Sequence, residues 1–242
     1  MIVIPMAGLS RRFSDAGYSL PKYMLDLNGR SVFAHSVESF SAYFDREPFL
    51  FIARKAPDAA EFLSGELASL GIGNAEIVWL DAPTSGQADT VRLGLIEASV
   101  SSETPVTIFN IDTFRPGYLY PERPWFSACD GYLEVMYGSD PGFSYVSPLD
   151  GALAEERVGA TAEKEVISEL ASTGLYWFRR AGDLMSVVGS AGPPRAGAGA
   201  ELYVAPLYNA LIQSGRDIRF HRVPSESVIF CGTPQQYETL RR

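Results

Sequence analysis

Four stretches of this 242-residue chain carry side chains suited to handling phosphate and its partners. The first is the loop Ala7-Gly8-Leu9-Ser10-Arg11-Arg12-Phe13, followed by Pro21-Lys22. Gly8 and Ser10 are small enough to let backbone N–H groups approach an anion closely. Arg12 adds a permanent charge with a fixed fork of donors, and Lys22 could neutralise charge that develops on phosphate oxygens. The second is Val106-Thr-Ile-Phe-Asn-Ile-Asp112, an apolar run ending in a carboxylate. A hard Mg²⁺ would bind that oxygen and bridge to phosphate; the plainer role is a capping or turn aspartate. The third is Asp81–Val91, where Thr84, Ser85, Gly86 and Gln87 offer donors and acceptors. Such groups beside a sheet edge could hydrogen-bond a ligand, and leaving them unpaired in a dry pocket would be costly. Thr84 or Ser85 could equally N-cap the next helix. The fourth is the pair Glu163-Lys164, which in isolation reads as an ordinary solvated surface pair.

The first half of the chain alternates strand and helix signals. Short apolar runs at 2–6, 49–53, 76–80 and 106–110 read as buried strands, and 31–44, 58–70 and 86–98 read as amphipathic helices. Such alternation predicts an α/β, Rossmann-like fold: a mixed, mostly parallel sheet with helices on both faces. Ligands in such sheets bind at the carboxyl ends of the strands. The second half predicts shorter strands at 132–137, 143–147, 166–167, 175–179, 216–223 and 228–231, a Gly/Ala/Pro-rich mobile loop at 190–200, and helices at 201–213 and 234–240. With no internal repeat or strong linker, one domain over 1–242 is expected, with 1–115 as a nucleotide-binding half and 116–242 as an acceptor-binding half.

The formal net charge of −9 makes DNA and RNA poor partners, since their phosphates would be repelled. It does not exclude a small phosphate held by a few converging cations. Cys129 and Cys231 lack the spacing of a metal knuckle or a disulfide scaffold, so they are expected to be buried reduced thiols. No basic leader is apparent and no window approaches the roughly 20 apolar residues of a membrane span, so membrane insertion is not expected and a cytoplasmic location is. His35 and His221 are expected to be structural or surface groups.

Taken in order, Pro5–Phe13 followed by Leu20-Pro-Lys-Tyr-Met-Leu-Asp-Leu-Asn-Gly29 resembles the opening signature of sugar-phosphate nucleotidyltransferases, Ala-Gly-x-Gly-[Ser/Thr]-Arg and then Pro-Lys-x-Leu. The resemblance implies a GT-A-like nucleotidyltransferase fold. It places Ala7, Gly8, Leu9 and Ser10 on the triphosphate, Arg12 on the motif arginine, and Lys22 on the lysine that stabilises the transferring phosphate. Asn110-Ile-Asp112 is similar to the family's metal-binding element after the fourth strand, which implies Mg²⁺ as cofactor. The family's nucleobase connection falls on Thr84–Gln87, which implies that Gln87 or the backbone near Gly86 reads a pyrimidine edge through paired donors and acceptors. Glu163-Lys164 with Ser172-Thr-Gly-Leu-Tyr-Trp-Phe178 resembles its acceptor motif, so Glu163 would hold the acceptor body, Lys164 its phosphate, and Gly174 the pocket wall. The implied partners are a nucleoside triphosphate, CTP favoured because small single-domain members often use it, and a sugar phosphate or other phosphorylated small molecule. The implied pathway is sugar-nucleotide synthesis for capsule or lipopolysaccharide.

Three departures stand out. Ser10 occupies a usual glycine, which is tolerable if its φ stays negative. Arg11 occupies a usual serine or threonine. Cys231-Gly-Thr-Pro234 resembles the C-terminal Asp-x-Gly-Thr-Pro, but Phe230 stands where a second metal carboxylate is expected. Three outcomes stay open: Asp112 holds the metal with water and phosphates, Glu226 or Glu201 substitutes, or activity is lost. The rivals are a glycosyltransferase of related fold and a non-catalytic nucleotide- or sugar-phosphate-binding protein.

Overall fold

The computed structural model describes residues 1–191 and 201–241. The chain divides into two compact units. The N-terminal unit gathers Ile2–Pro83, Phe109–Leu119 and Glu226–Arg242; the middle unit gathers Met1, Thr84–Ile108 and Tyr120–Ser225.

In the N-terminal unit, Ile2–Met6, Phe49–Arg54 and Ala75–Leu80 pair in parallel, with Ile2 opposite Phe49 and Phe49 opposite Ala75. Ile2–Met6 is buried throughout, and so is Phe49–Ala53. Unbroken apolar runs of this kind suit parallel strands covered on both faces. The helix Ala59–Leu70 joins the second and third strands and closes at Gly71, whose φ of 74° no side-chain-bearing residue adopts as easily. The expected helix over 31–44 is shorter than its apolar spacing suggests. Ser31 caps Val32–Val37 by accepting from the Ala34 N–H at 2.9 Å, and a 3-10 stretch Glu38–Tyr43 follows. Phe40 leaves helical angles there (φ −101°, ψ 22°), and its fully buried ring packs edge-on against Phe109 and Phe49. Core packing overrides helix propensity at that point.

In the middle unit, Gly131–Tyr137 lies antiparallel to Leu170–Phe178 and parallel to Ile218–Arg222, while Val158–Glu163 lies antiparallel to Ser144–Pro148. Gln87–Glu97, Ala181–Ala191 and Leu207–Gln213 are its helices. The class is the expected α/β, Rossmann-like one, built on mixed strand pairing.

Several second-half boundaries need correction. No strand forms at 166–167; Lys164, with φ 57°, ends the extended run that begins at Val158. The helix expected from Glu201 begins only at Leu207, because Pro206 lacks an N–H and restricts the residue before it. The Ala181–Ala191 helix was not expected, since Gly182, Val187, Val188 and Gly189 are weak helix formers. Ser190 and Ala191 of the expected 190–200 loop end that helix, and the rest of the loop lies outside the described residues. Among the described residues no helix is long and apolar enough to cross a membrane.

Candidate active site

Four sequence motifs of the N-terminal unit meet through their apolar neighbours. Phe13 follows Arg12, Leu25 follows the Lys22 turn, Phe114 follows Asp112, and Cys231 precedes Gly232; all four pack in one buried cluster with Leu27, Val32 and Tyr237. Burying this cluster fixes where the adjacent polar residues emerge. Lys22 opens a 3-10 turn, Lys22–Met24, whose Tyr23 is buried. Asp112 lies in the turn between the strands Val106–Phe109 and Thr113–Phe114, flanked by buried Ile111 and Thr113.

The result is direct contact between two residues 90 positions apart: Lys22 Nζ donates to Asp112 Oδ2 at 2.6 Å. Both side chains are about one-fifth to one-quarter exposed, at 24% and 21%. They are shielded from bulk water yet open to a ligand. The C-terminal motif backs this pair. Cys231 N–H donates to the Asp112 carbonyl at 2.8 Å, Ser36 Oγ donates to the Asn110 carbonyl at 3.3 Å, and a Cβ on Gly232 would stand 2.8 Å from Asp112 Oδ2. Gly232 therefore makes room for the carboxylate. Thr233 caps the helix Pro234–Leu240 in a capping box with Gln236, whose Oε1 also accepts from Gly232 N–H at 2.9 Å. Burial, reinforced by the Asp112 charge and only partly offset by Lys22, pushes the Cys231 thiol up to about 12. It is a neutral packing group beside the pair.

The opening loop departs from expectation at one residue. Ser10 does not keep a negative φ: it sits in the left-handed region at φ 50°, ψ 32°, the conformation for which glycine is the usual choice. Its carbonyl accepts from Phe13 and Ser14 N–H and its hydroxyl from Lys22 N–H at 3.4 Å, so these bonds hold the strained turn. Ala7 is buried and Gly8 exposed, and a side chain on Gly8 would meet nothing within 4 Å. Leu9 is half-buried. Arg12 is exposed; with Asp15, Ala16, Thr233, Pro234 and Gln235 it lines an open depression of about 410 Å³.

The other predicted residues belong to the middle unit. Gly86, not Thr84 or Ser85, is the N-cap of Gln87–Glu97, without a side-chain cap bond. Thr84 Oγ1 is engaged with Thr90 Oγ1 at 2.6 Å and with the Gly86 carbonyl, and Ser85 N–H donates to Asp89 at 3.0 Å. Gln87 is half-buried at the start of the helix. Glu163 ends the strand Val158–Glu163 and accepts from Ser144 Oγ. Burial raises its pKa from the ordinary glutamate value, against the pull of Ser144 and Lys164. Lys164 Nζ donates to Tyr203 Oη and lies 4.4 Å from that ring's centroid. Gly174, at φ 88°, lies where the Leu170–Phe178 strand shifts register between Ser172 and Tyr176. The contact of Lys164 with Tyr203 was not expected from the sequence, where Tyr203 is an aromatic residue beyond a glycine-rich stretch.

Among the described residues no three His, Cys, Asp or Glu side chains cluster as a metal cage. Phe230 is paired opposite Thr113, Glu226 is exposed in the turn Ser225–Ser227, and Glu201 accepts from Tyr203 Oη in the middle unit. Among the described residues, Asp112 is thus the carboxylate that meets Lys22, and neither Glu226 nor Glu201 is seen beside it. Mg²⁺ is commonly held by one or two carboxylates with substrate phosphates and water completing its shell, so this donor set fits a metal that arrives with a polyphosphate.

With this geometry in view, solved structures give the class: the fold is that of α/β nucleotidyltransferases. No family model matches the chain, and no curated protein does. A nucleoside-diphosphate-sugar pyrophosphorylase from Vibrio cholerae RC9 is 45% identical over 100% of both chains, with a TM-score of 0.92. The chain therefore belongs to the sugar-phosphate nucleotidyltransferase family, and it is a transferase of sugar-nucleotide synthesis. Two more distant structures share the fold alone. The inositol-1-phosphate CTP transferase from T. maritima is 15% identical, covering 99% of this chain and 94% of its own, at TM-score 0.72. A UDP-glucose pyrophosphorylase complexed with UDP-glucose is 14% identical, covering 99% and 96%, at TM-score 0.74.

Proposed function

We propose that the enzyme transfers a nucleoside monophosphate from a triphosphate, CTP first, to the phosphate of a phosphorylated sugar or a similar small molecule. An acceptor phosphate oxygen attacks the α-phosphorus in line. The new P–O bond forms as the bond to the β-phosphate breaks, and pyrophosphate leaves with that electron pair. The acceptor is already anionic, so no general base and no covalent enzyme intermediate are required. What remains is positioning and charge neutralisation. Ala7, Gly8, Leu9 and Ser10 present backbone to the triphosphate, with Arg12 and Lys22 supplying positive charge. Asp112 would hold Mg²⁺, which when bound supplies further neutralisation of the phosphate oxygens. Thr84, Ser85, Gly86 and Gln87 face the base; Glu163, Lys164 and Gly174 take the acceptor. The product would feed surface-polysaccharide assembly in the cytoplasm.

The observation that carries this reading is the 2.6 Å contact between Lys22 and Asp112, backed by Gly232. Three motifs far apart in sequence share one spot, as a phosphate-and-metal site requires. The test is pyrophosphate release over a grid of ATP, GTP, CTP, UTP and dTTP against glucose 1-phosphate, galactose 1-phosphate, glycerol 3-phosphate and phosphoethanolamine. Release that needs both substrates, and that falls by about two to three orders of magnitude in Lys22→Ala with folding unchanged, supports the reading. Sugar transfer from a preformed nucleotide sugar would favour a glycosyltransferase instead. Binding without turnover would favour the non-catalytic reading, for which Phe230 is the specific observation.

A further inference from the structure

The backbone of Leu202 is clamped to the loop that precedes the helix Gln87–Glu97. Its N–H donates to the Ser85 carbonyl at 2.8 Å, and its carbonyl accepts from Ala88 N–H at 2.9 Å. Gly86 lies inside this clamp at φ 135°. A Cβ there would fall 2.5 Å from Leu202 N and 2.6 Å from Leu202 O, so the loop closes on Leu202 only with glycine at this position. The two neighbours of Leu202 do something different. Lys164 Nζ donates to Tyr203 Oη, Tyr203 Oη donates to the Glu201 carboxylate, and the ammonium also sits over the Tyr203 ring at 4.4 Å. A lysine stem has many rotamers, and a relay ending on a carboxylate with a ring beneath the cation selects among them.

We propose that Glu201-Leu202-Tyr203 is a strap that sets the Lys164 ammonium for the acceptor phosphate and keys its position to the Ser85–Ala88 loop, so that nucleotide and acceptor bind cooperatively. The inference rests on the reading above, in which Thr84–Gln87 meets the base and Lys164 the acceptor phosphate. Tyr203 and Gly86 are positioning residues: one acts through the Lys164 side chain, the other through the Leu202 backbone. A nucleotide that orders the loop orders Leu202 through two hydrogen bonds, and Tyr203 is the next residue along the chain. Binding free energies linked in this way are reciprocal, with typical coupling of about 5- to 150-fold.

The test uses the full-length enzyme and the donor–acceptor pair that gives most turnover in the pyrophosphate grid. Tyr203→Phe keeps the ring and removes the relay. At saturating nucleotide its acceptor KM should rise about tenfold with kcat within about twofold of the parent, and at saturating acceptor its nucleotide KM should rise by a comparable factor, as reciprocity requires. Gly86→Ala should raise the acceptor KM by a similar factor although the loop does not hold the acceptor, and the double variant should be no worse than the poorer single one. A second measurement covers the case in which Gly86→Ala folds poorly. With EDTA present to prevent turnover, the donor triphosphate of that pair should tighten binding of its acceptor at least fivefold in the parent and less than twofold in Tyr203→Phe, by calorimetry. Additive KM effects, a Tyr203→Phe defect confined to kcat, or equal tightening in both proteins would overturn the strap. A parent that turns over nothing in the grid removes the nucleotidyltransferase reading itself; a parent that turns over with Tyr203→Phe unchanged removes only the strap.

Discussion

Replacing Gly232 by alanine isolates the placement of one carboxylate. The backbone of Gly232 lies outside the left-handed region, so alanine is conformationally acceptable there. Gly→Ala at such a position leaves stability unchanged or raises it by about 0.4–1 kcal/mol through the unfolded state. The added Cβ would nonetheless stand 2.8 Å from Asp112 Oδ2, 3.5 Å from its Cγ and 3.7 Å from Gln236 Oε1. Ordinary contact begins at 3.4 Å, so the carboxylate oxygen must retreat by about 0.6 Å, on a scale where a displacement of about 1 Å can reduce a rate about a hundredfold. The same oxygen is the one Lys22 holds at 2.6 Å, so both members of the pair shift. The expected loss is about tenfold in kcat/KM, about 1.4 kcal/mol of transition-state stabilisation, with the Mg²⁺ titration moved to higher concentration. Thermal unfolding and steady-state pyrophosphate release on the same preparations measure both sides. Parent-like kcat/KM with an unchanged metal titration would refute the assignment of Asp112. A large drop in melting temperature would show instead that Gly232 serves the fold.

Asp112→Asn keeps the shape of the side chain and removes its charge; activity should fall and lose its Mg²⁺ dependence, and an unaltered metal titration would remove Asp112 from the site. Glu163→Gln should raise the melting temperature at pH 7 and lose that gain near pH 4. Burial raises the Glu163 pKa, so the folded state prefers the protonated form, an advantage present below the unfolded pKa and lost as pH rises through the folded one. The same variant should raise the acceptor KM, and a lower melting temperature at pH 7 would contradict the sign. Cys129 and Cys231 are buried, with thiols pushed from 9.0 up to about 11 and about 12. Neither should react with a disulfide reagent in the native protein at pH 8. Their contribution to stability should be intact below about pH 9 and be lost as pH rises through those values, as alkaline unfolding would report.

The frame of the N-terminal unit was legible because Ile2–Met6 and Phe49–Ala53 are unbroken apolar runs of strand length, and the opening loop and Asp112 each follow a strand. The contact between Lys22 and Asp112 followed from two motifs and the rule that ligands gather at carboxyl ends. Other features were decided by forces that spacing does not encode. The Phe40 ring bends a helix to enter the core, Pro206 cuts another short, and Ser10 takes a left-handed turn because three bonds hold it. The clamp on Leu202 was invisible for a related reason: main-chain hydrogen bonds between residues more than a hundred positions apart leave no mark on residue type, except the glycine that makes room for them.

The passage from Glu226 onward gives the N-terminal unit Cys231, whose N–H fastens the Asp112 carbonyl, Tyr237, whose hydroxyl donates to the Asp26 carbonyl, and Leu240, whose carbonyl accepts from Asn28. The aspartate and the lysine leave the ribosome early, but the backbone that steadies them is translated more than a hundred residues later. A nascent chain therefore holds both charged groups before the Cys231 bond to the Asp112 carbonyl can form. A protease that trims the helix Pro234–Leu240 would remove the partners of Asp26 and Asn28 without cutting near either.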